Sequence, residues 1–394
     1  METQNIVRVG VIGMGNMGAA HAACIFSGKI QGLALAAFCD NAPERLDHFR
    51  CVYPSLTAYE RWEDMLDDRN IDAVIIAVPH PLHTTIAMAA LQAKKHVQLE
   101  KPVDVSITKA AALNAVAKKT DRIFSITFNQ RTNALFQKAR EIVTGGQLGE
   151  LKRSVWIITN WYRTQHYYNS GTWRATWAGE GGGVLLNQAP HNLDLWQWIC
   201  GMPCQITGFC DIAKYHDIEV EDDVTIFARY ANGATGIFIC STGEYPGTNR
   251  LEISGTLGKL VLENGLLKWW KLEQSERQFC WESDQSFIGI PFAYTESKPE
   301  YPESAHAGIL QNFTNAILHG EPLLAPGVEG IHSLMISNAA YLSAWNGSTP
   351  VTLPVDGADF DRGLAERAAA SHEKQQKSKE AYNSIYKKRW QINW

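Results

Sequence analysis

Val7-Arg8-Val9-Gly10-Val11-Ile12-Gly13-Met14-Gly15-Asn16-Met17-Gly18 decides how the rest of the chain is read. A short β-branched apolar run enters a Gly-x-Gly-x-x-Gly turn, and a helix-forming run, Ala19 to Phe26, follows at once. Strand, glycine turn and helix in this order set a helix N-terminus, with its peptide N–H groups and positive dipole end, against a pyrophosphate. Gly13 permits the tight turn, Gly15 lets the backbone approach the phosphates, and Gly18 lets helix and strand pack closely. Asn16 and Met17 open the helix and join the expected cofactor contacts. Asp40 ends the next apolar run, Leu33 to Cys39, roughly 20 residues past the glycines. A carboxylate there accepts from a ribose 2′-hydroxyl and repels a 2′-phosphate, so NAD is expected rather than NADP. The plain alternative is an ordinary βα turn with a solvated strand-end acid.

The 394 residues are too many for one small core and suggest more than one domain. A net charge of −5 with no basic stripe argues against a nucleic-acid surface. No apolar run approaches the ~18 residues of a membrane span. Met-Glu-Thr-Gln-Asn lacks the basic and apolar regions of a secretory signal. The eight cysteines are scattered, as in a reducing cytoplasm, which is the expected location. Cys200, Cys204 and Cys210 have irregular spacing and no nearby histidine, so no metal is expected.

The first ~125 residues alternate strand and helix in a way that specifies a doubly wound parallel sheet. Val7–Ile12, Leu33–Cys39, Ala73–Val78, His96–Leu99 and Ile123–Thr127 read as buried strands. Asn16–Ser27, Glu60–Asp67, His83–Ala93 and Ser106–Lys119 read as helices. Ligands bind beyond the carboxyl ends of such strands, so Pro79-His80 and Glu100-Lys101-Pro102 should border the cofactor. After Thr127 the pattern changes. A helix over Asn133–Val143, a long strand from Glu150 to about Trp161, and a glycine turn with an amphipathic helix over Gly181–Gly201 precede four or five strand-like runs to Lys271. Asn232-Gly233 is a strong hairpin signal. Residues 272–303 look irregular, helices return at Ala305–Leu318 and Val328–Asn346, and Val351–Pro354 reads as a final strand. The expected division is a Rossmann domain over 1–127, an α+β domain with a large, mostly antiparallel open sheet over 128–356, and a charged tail over 357–394.

Three segments carry candidate chemistry. Pro102 restricts Lys101 to an extended backbone, which displays a lysine at the cofactor mouth. It is an acid/base or hydroxyl-orienting group, or a surface lysine paired with Glu100. In Gly181–Leu195, Asn187, His191, Asp194 and Leu195 fall on one side of a helix, unless Pro190 distorts the turn. A histidine titrating near neutrality is the usual proton acceptor when an alcohol becomes a ketone, and a buried structural histidine is the common alternative. Tyr162, Arg163, Trp173 and Arg174 lie in an aromatic stretch whose rings suit the C–H faces of a sugar and whose polar groups suit its hydroxyls. Aromatics anchoring a loop in the core would look the same.

Taken together, these segments resemble the glucose–fructose oxidoreductase / inositol dehydrogenase (Gfo/Idh/MocA) family. The glycine turn, Val78-Pro79-His80-x-x-His83, Glu100-Lys101-Pro102, Phe128-Asn129-Gln130-Arg131 and Gly181–Leu195 occur in the family's order. So does a Gly330…Ala340…Ser343 helix leading to Val351-x-Leu353-Pro354, and the likeness covers residues 6 to about 355. The resemblance implies NAD contacts from Pro79, His80, His83, Glu100, Lys101 and Asn129 besides the glycine turn. It also implies a reacting centre lined by Lys101, Asn187 and His191, with an open sheet that often mediates oligomerisation into dimers or tetramers. Many members carry Asp where this chain has Asn187. Asn carries no proton, which leaves His191 as general base and Lys101 as hydrogen-bond donor to the reacting hydroxyl. The expected activity is NAD-dependent oxidation of a secondary hydroxyl, C3 favoured, of a sugar or glycoside. An inositol dehydrogenase, an oxidation–elimination glycosidase and a non-catalytic NAD-binding sensor are the alternatives.

Overall fold

The computed structural model describes residues 6–299 and 304–372. Six strands, β1 (Val7–Ile12), β2 (Leu33–Cys39), β3 (Thr57–Tyr59), β4 (Ala73–Ile76), β5 (His96–Leu99) and β6 (Phe124–Ile126), are all parallel in the order β3-β2-β1-β4-β5-β6. Helices α1 (Asn16–Phe26), α2 (Pro43–Val52), α3 (Trp62–Asp67), α4 (His83–Gln92) and α5 (Ile107–Ala117) connect them. Strand order reverses between β1 and β4, the switch point at which such sheets bind nucleotides. All four residues of β4 are buried, as a sheet covered on both faces requires. The sequence reading lacked α2 and β3. Only Leu46 and Phe49 of α2 are buried, and β3 is a three-residue edge strand.

Helix α6 (Ala134–Thr144) and strand β7 (Leu151–Ile158) open the second unit, followed by α7 (Gln165–Asn169), α8 (Val184–Asn187) and α9 (Pro190–Cys200). Six strands then succeed one another: β8 (Gln205–Ile212), β9 (Glu221–Arg229), β10 (Thr235–Ser241), β11 (Asn249–Gly255), β12 (Gly258–Glu263) and β13 (Leu266–Leu272). Residues 272–303, expected to be irregular, contain α10 (Glu276–Glu282) and β14 (Phe292–Ser297), which pairs with β13. The chain continues through α11 (Ala305–His319), α12 (Gly330–Trp345), β15 (Val351–Thr352) and α13 (Gly357–Ala369). The second sheet has nine strands in the order β14-β13-β12-β11-β7-β10-β9-β8-β15. Only the β7–β10 pair is parallel, because β7 inserts into what would otherwise be a meander. The Asn232-Gly233 turn joins β9 to β10, with Gly233 at φ +85° and Asn232 accepting from Ala234 N–H.

The expected boundary at 127/128 shifts, and the chain returns. Residues up to Thr132 form one unit with Ser304–Leu334, and the second holds the described residues from Asn133 to 299 and from Met335 onward. Leu310 and Phe313 of α11 join Val9, Val11, Phe38 and Ile75 in the first core. Ala325 carbonyl accepts from Ile126 N–H and Ser125 Oγ, which extends backbone pairing past β6. Burying each such Leu or Phe contributes about 1.5–3 kcal/mol. In the second unit Trp156 and Trp196 are fully buried against Phe238, and Trp196 donates to Ser154 Oγ. Helix α9 is buried over Pro190–Ile199 rather than amphipathic. The segment expected as a tail begins with α13, whose Phe360 is fully buried against Trp345, and its remainder after residue 372 lies outside the described residues. Among the described residues no helix is long and apolar enough to cross a membrane.

Candidate active site

The expected site residues divide between the two units. In the first, Gly13 sits at φ +88°, and a Cβ on it would meet the Ala77 carbonyl oxygen at 2.5 Å. A Cβ on Gly18 would lie 1.7 Å from the Gly13 carbonyl oxygen. Around Gly15, by contrast, a Cβ would meet nothing within 4 Å. Gly15 is also the N-cap of α1, where no side chain caps the first-turn N–H groups. The turn therefore leaves space at the end of α1 that a dinucleotide pyrophosphate fits. Asp40 borders this turn. Its carboxylate accepts from Met14 N–H (2.8 Å), Ala42 N–H (2.9 Å) and Arg45 Nη1 (2.9 Å). Arg45 thus holds one of the acceptor positions a ribose hydroxyl would use.

The loops after β4 and β5 are fastened to each other. His83, 1% exposed, bonds the Pro102 carbonyl through Nδ1 (2.6 Å) and the Val78 carbonyl through Nε2 (2.9 Å). Glu100 is buried and bonds His21 Nε2 at 2.7 Å. Burial pushes its carboxyl up, but the His21 bond and the neighbouring basic groups His21, His306 and Lys101 outweigh this and hold it at about 2. His306 packs edge-on to His21 and is pushed down to about 4, by burial first and by His21 second. His83 and Glu100, expected as cofactor contacts, stand at this junction. Both are buried and engaged with protein groups, which ties the two loops together. Lys101 and Pro79 are more open, and His80 is buried edge-on to His83. Asn129 Oδ1 is buried and receives no hydrogen bond within the described residues, a second polar position suited to a ligand.

In the second unit Glu221 organises the glycine-rich segment. Its carboxylate accepts from Gly183 N–H and Leu185 N–H (both 3.0 Å) and from Tyr341 OH (2.6 Å). Burial pushes it up to about 7 despite these donors. A Cβ on Gly183 would meet the Glu221 carbonyl at 2.0 Å, so only glycine allows this approach. Asn187 and His191 do not share one continuous helix. Asn187 ends α8, and His191 is the second residue of α9. Pro190 has no N–H to continue the ladder, and Ala189 N–H turns back to the Val184 carbonyl. Asn187 Nδ2 donates to Glu180 Oε1, while Asp194 accepts from Gln197 Nε2 (3.0 Å).

The aromatic stretch is mostly self-bonded. Arg174, 8% exposed, donates to Tyr167 OH (2.6 Å) and stacks on the rings of Tyr167 and Trp173. These contacts anchor the stretch around it. Arg163 donates to the carbonyls of Trp161 and Tyr162. Tyr162 is 45% exposed, and Trp173 is half-buried. His216 bonds Asp222 Oδ2 and the Arg163 carbonyl, both at 2.8 Å, and fastens this stretch to β9. Burial pushes its imidazole down, yet these two acceptors outweigh it and the net shift is upward. His21, Glu180, Glu221 and His216 were absent from the sequence reading. Glu221-Asp222-Asp223 offered one signal, three acids at the start of a strand whose alternate positions turn inward. Among the described residues no group of three His, Cys, Asp or Glu stands together as a metal site.

The family model for the NAD-binding Rossmann fold oxidoreductases matches residues 7–128, and that for the GFO/IDH/MocA C-terminal domain matches residues 136–261. Myo-inositol 2-dehydrogenase of Thermotoga maritima is 26% identical over 85% of this chain and 95% of its own. Levoglucosan dehydrogenase of Pseudarthrobacter phenanthrenivorans is 26% identical over 76% of this chain and 83% of its own. The crystal structure of the WlbA dehydrogenase from Bordetella pertussis, a complex with NADH and UDP-GlcNAcA, shares the fold. It has a TM-score of 0.73 and 24% identity, over 89% of this chain and 100% of that one. With residues 7–128 and 136–261 matched and its glycine turn open to a dinucleotide, this chain belongs to the GFO/IDH/MocA family of NAD-binding oxidoreductases.

Proposed function

We propose that the protein is an NAD-dependent dehydrogenase of a polyhydroxylated ring, a sugar, glycoside or cyclitol, acting on a secondary hydroxyl such as C3. The observation that carries this reading is the Gly183–Cys200 segment, where a carboxylate-anchored helix start presents an amide at Asn187 and an imidazole at His191. Curated relatives named for inositol and levoglucosan, both polyhydroxylated rings, support the substrate class. NAD, when bound, supplies the hydride acceptor. The residues suited to hold it are Gly13, Gly15, Asn16, Met17, Gly18 and Asp40, with Asn129 and the 78–80 loop. His191 accepts the hydroxyl proton, so the carbinol leaves as a ketone once the C–H hydride has gone. Lys101 donates a hydrogen bond to the same oxygen, and Asn187 accepts one from a ring hydroxyl. Tyr162 and Trp173 offer apolar faces to the ring.

The test is NADH formation from NAD with myo-inositol, levoglucosan, methyl glucosides and free hexoses. Reduction with at least one member of the panel, lost in a Lys101→Ala/His191→Ala double variant that still binds NADH, is expected. No NADH from any member overturns the reading.

A further inference from the structure

Helix α13 and the two residues that follow its last turn reach the glycine-rich segment by two routes. The first is aromatic. A Cβ on Gly363 would lie 2.8 Å from the Trp345 ring, so α13 approaches α12 as closely as a glycine allows. Phe360 stacks on Trp345 with centroids 5.4 Å apart, and the Arg367 guanidinium lies 3.9 Å from the Trp345 ring centroid. Trp345 stacks in turn on Tyr341 (5.5 Å), and Trp177 packs edge-on to both. Tyr341 OH donates to Glu221, the carboxylate that accepts from Gly183 N–H and Leu185 N–H. A Cβ on Gly182 would run into the same Tyr341 oxygen.

The second route is polar. The Glu219 carboxylate accepts from Ser371 Oγ and from His372 N–H, both at 2.7 Å. Ser371 Oγ accepts from Ala178 N–H (3.1 Å), and Glu219 N–H donates to the Ala175 carbonyl (3.2 Å). A hydroxyl donates one bond while accepting another, so Ser371 joins a carboxylate to a peptide N–H through one atom. The bonds close a ring through the 175–178 turn, Glu219 and Ser371. Glu219 and Glu221 stand two apart in the chain: one grips the end of α13, the other the start of α8.

Between these grips lie Gly181, Gly182 and Gly183, which have no side chains to lock them and lose the most backbone freedom on ordering. Their conformation is therefore set by groups from elsewhere in the unit. We propose that α13 with Ser371 and His372 is a strap that fixes the 175–183 backbone, and that Ser371 is a positioning residue for the segment carrying Asn187 and His191. The link to a reaction rests on the dehydrogenase reading, whereas the strap does not.

Ser371→Ala and Ser371→Thr in the full chain test the strap, with Gly363→Ala as a variant remote from its hydrogen bonds. Hydrogen exchange is read by mass spectrometry on peptides spanning 174–188 and on those of β1 and β4. Ser371→Ala deprives Ala178 N–H of its acceptor, so exchange over 174–188 should quicken about tenfold while β1 and β4 keep parental rates. The threonine hydroxyl replaces the lost bonds and should restore those rates. Gly363→Ala pushes α13 off Trp345 and should quicken the same peptides. Parental exchange over 174–188 in Ser371→Ala overturns the proposal. So does an equal quickening in β1 and β4, which marks a loss of global stability alone.

Kinetics test the positioning role, with whichever of myo-inositol, levoglucosan or methyl glucoside the parent oxidises. Ser371→Ala should lower kcat/KM about tenfold through misplacement of the segment, with NADH affinity unchanged, and Ser371→Thr should recover it. Ser371→Ala kinetics within about twofold of the parent overturn that role. If the parent oxidises no member of the panel, the dehydrogenase reading fails, and the exchange comparison still decides whether the strap holds the segment.

Discussion

Replacing Gly15 with alanine separates the cofactor function of the glycine turn from its folding function. Gly15 has φ −66° and ψ −167°, extended values that alanine adopts without strain. A Cβ there meets nothing within 4 Å. Reduced freedom in the unfolded chain favours alanine by about 0.4–1 kcal/mol, and the poorer N-cap costs a similar amount. The two offset, so the melting temperature should stay within about 2–4 °C of the parent. The added methyl occupies the space at the N-terminus of α1. If it costs one charge-assisted N–H···phosphate bond, about 1.5–3 kcal/mol is lost, and NADH affinity falls roughly 10- to 100-fold. Gly18→Ala is the contrasting control. Its Cβ would lie 1.7 Å from a backbone oxygen, so it should lose stability by about 3 kcal/mol or more. Thermal melts and NADH fluorescence titration measure the two effects. Parental NADH affinity in Gly15→Ala, or its failure to fold, refutes the reasoning.

Asp40→Ser removes the carboxylate that Arg45 now holds. NADH affinity should drop about tenfold and NADPH affinity rise, which titration with both nucleotides checks. Glu221 is pushed up to about 7, so the folded protein holds this proton more tightly than the unfolded chain, and stability is lost as pH rises from the ordinary carboxyl range through that value. In Glu221→Gln the fall of melting temperature over this window should flatten; an unchanged slope would count against it. His216 is raised, so the stability from its charged form, which donates from both ring nitrogens, is fully present below its unfolded value of about 6.5 and is lost as pH rises through the higher folded one. His216→Phe should cost about 2 kcal/mol at pH 6 and less at pH 8, read from denaturant melts at both.

The glycine turn was readable because its sterics are local. Gly13 needs a positive φ, and Gly18 abuts a carbonyl five residues earlier. Strands β1 and β4 were readable because a sheet covered on both faces writes continuous apolar runs. Strand β14 was not, because nearly every residue in it is exposed and its place comes from backbone pairing to β13. The return of residues 304–334 to the first sheet depends on pairing across a separation of 200 residues, which no local pattern records. At the site, Asn187 and His191 stood out by their spacing on one expected helix and by the resemblance of Gly181–Leu195 to the family's segment. Their supports did not. A glutamate has one letter whether it is solvated, as most are, or buried under a helix start like Glu221.

Glu100 and Glu221 make the physical contrast between the two units. Both carboxylates are buried. Glu100 bonds an imidazole with further basic groups near it and is held at about 2, whereas Glu221 bonds peptide N–H groups and a phenol and rises to about 7. One side chain therefore remains ionised throughout the physiological range while the other changes charge within it. The first holds the loop that carries Lys101, and the second holds the helix that carries Asn187. His216, raised by its own acceptors, adds a second titrating support on the aromatic stretch. The Glu100 carboxylate thus keeps its charge through mild changes of pH, and the Glu221 carboxyl under the Asn187 segment does not. NADH affinity should then be nearly flat from about pH 6 to pH 8, while the substrate-dependent step varies across the same interval.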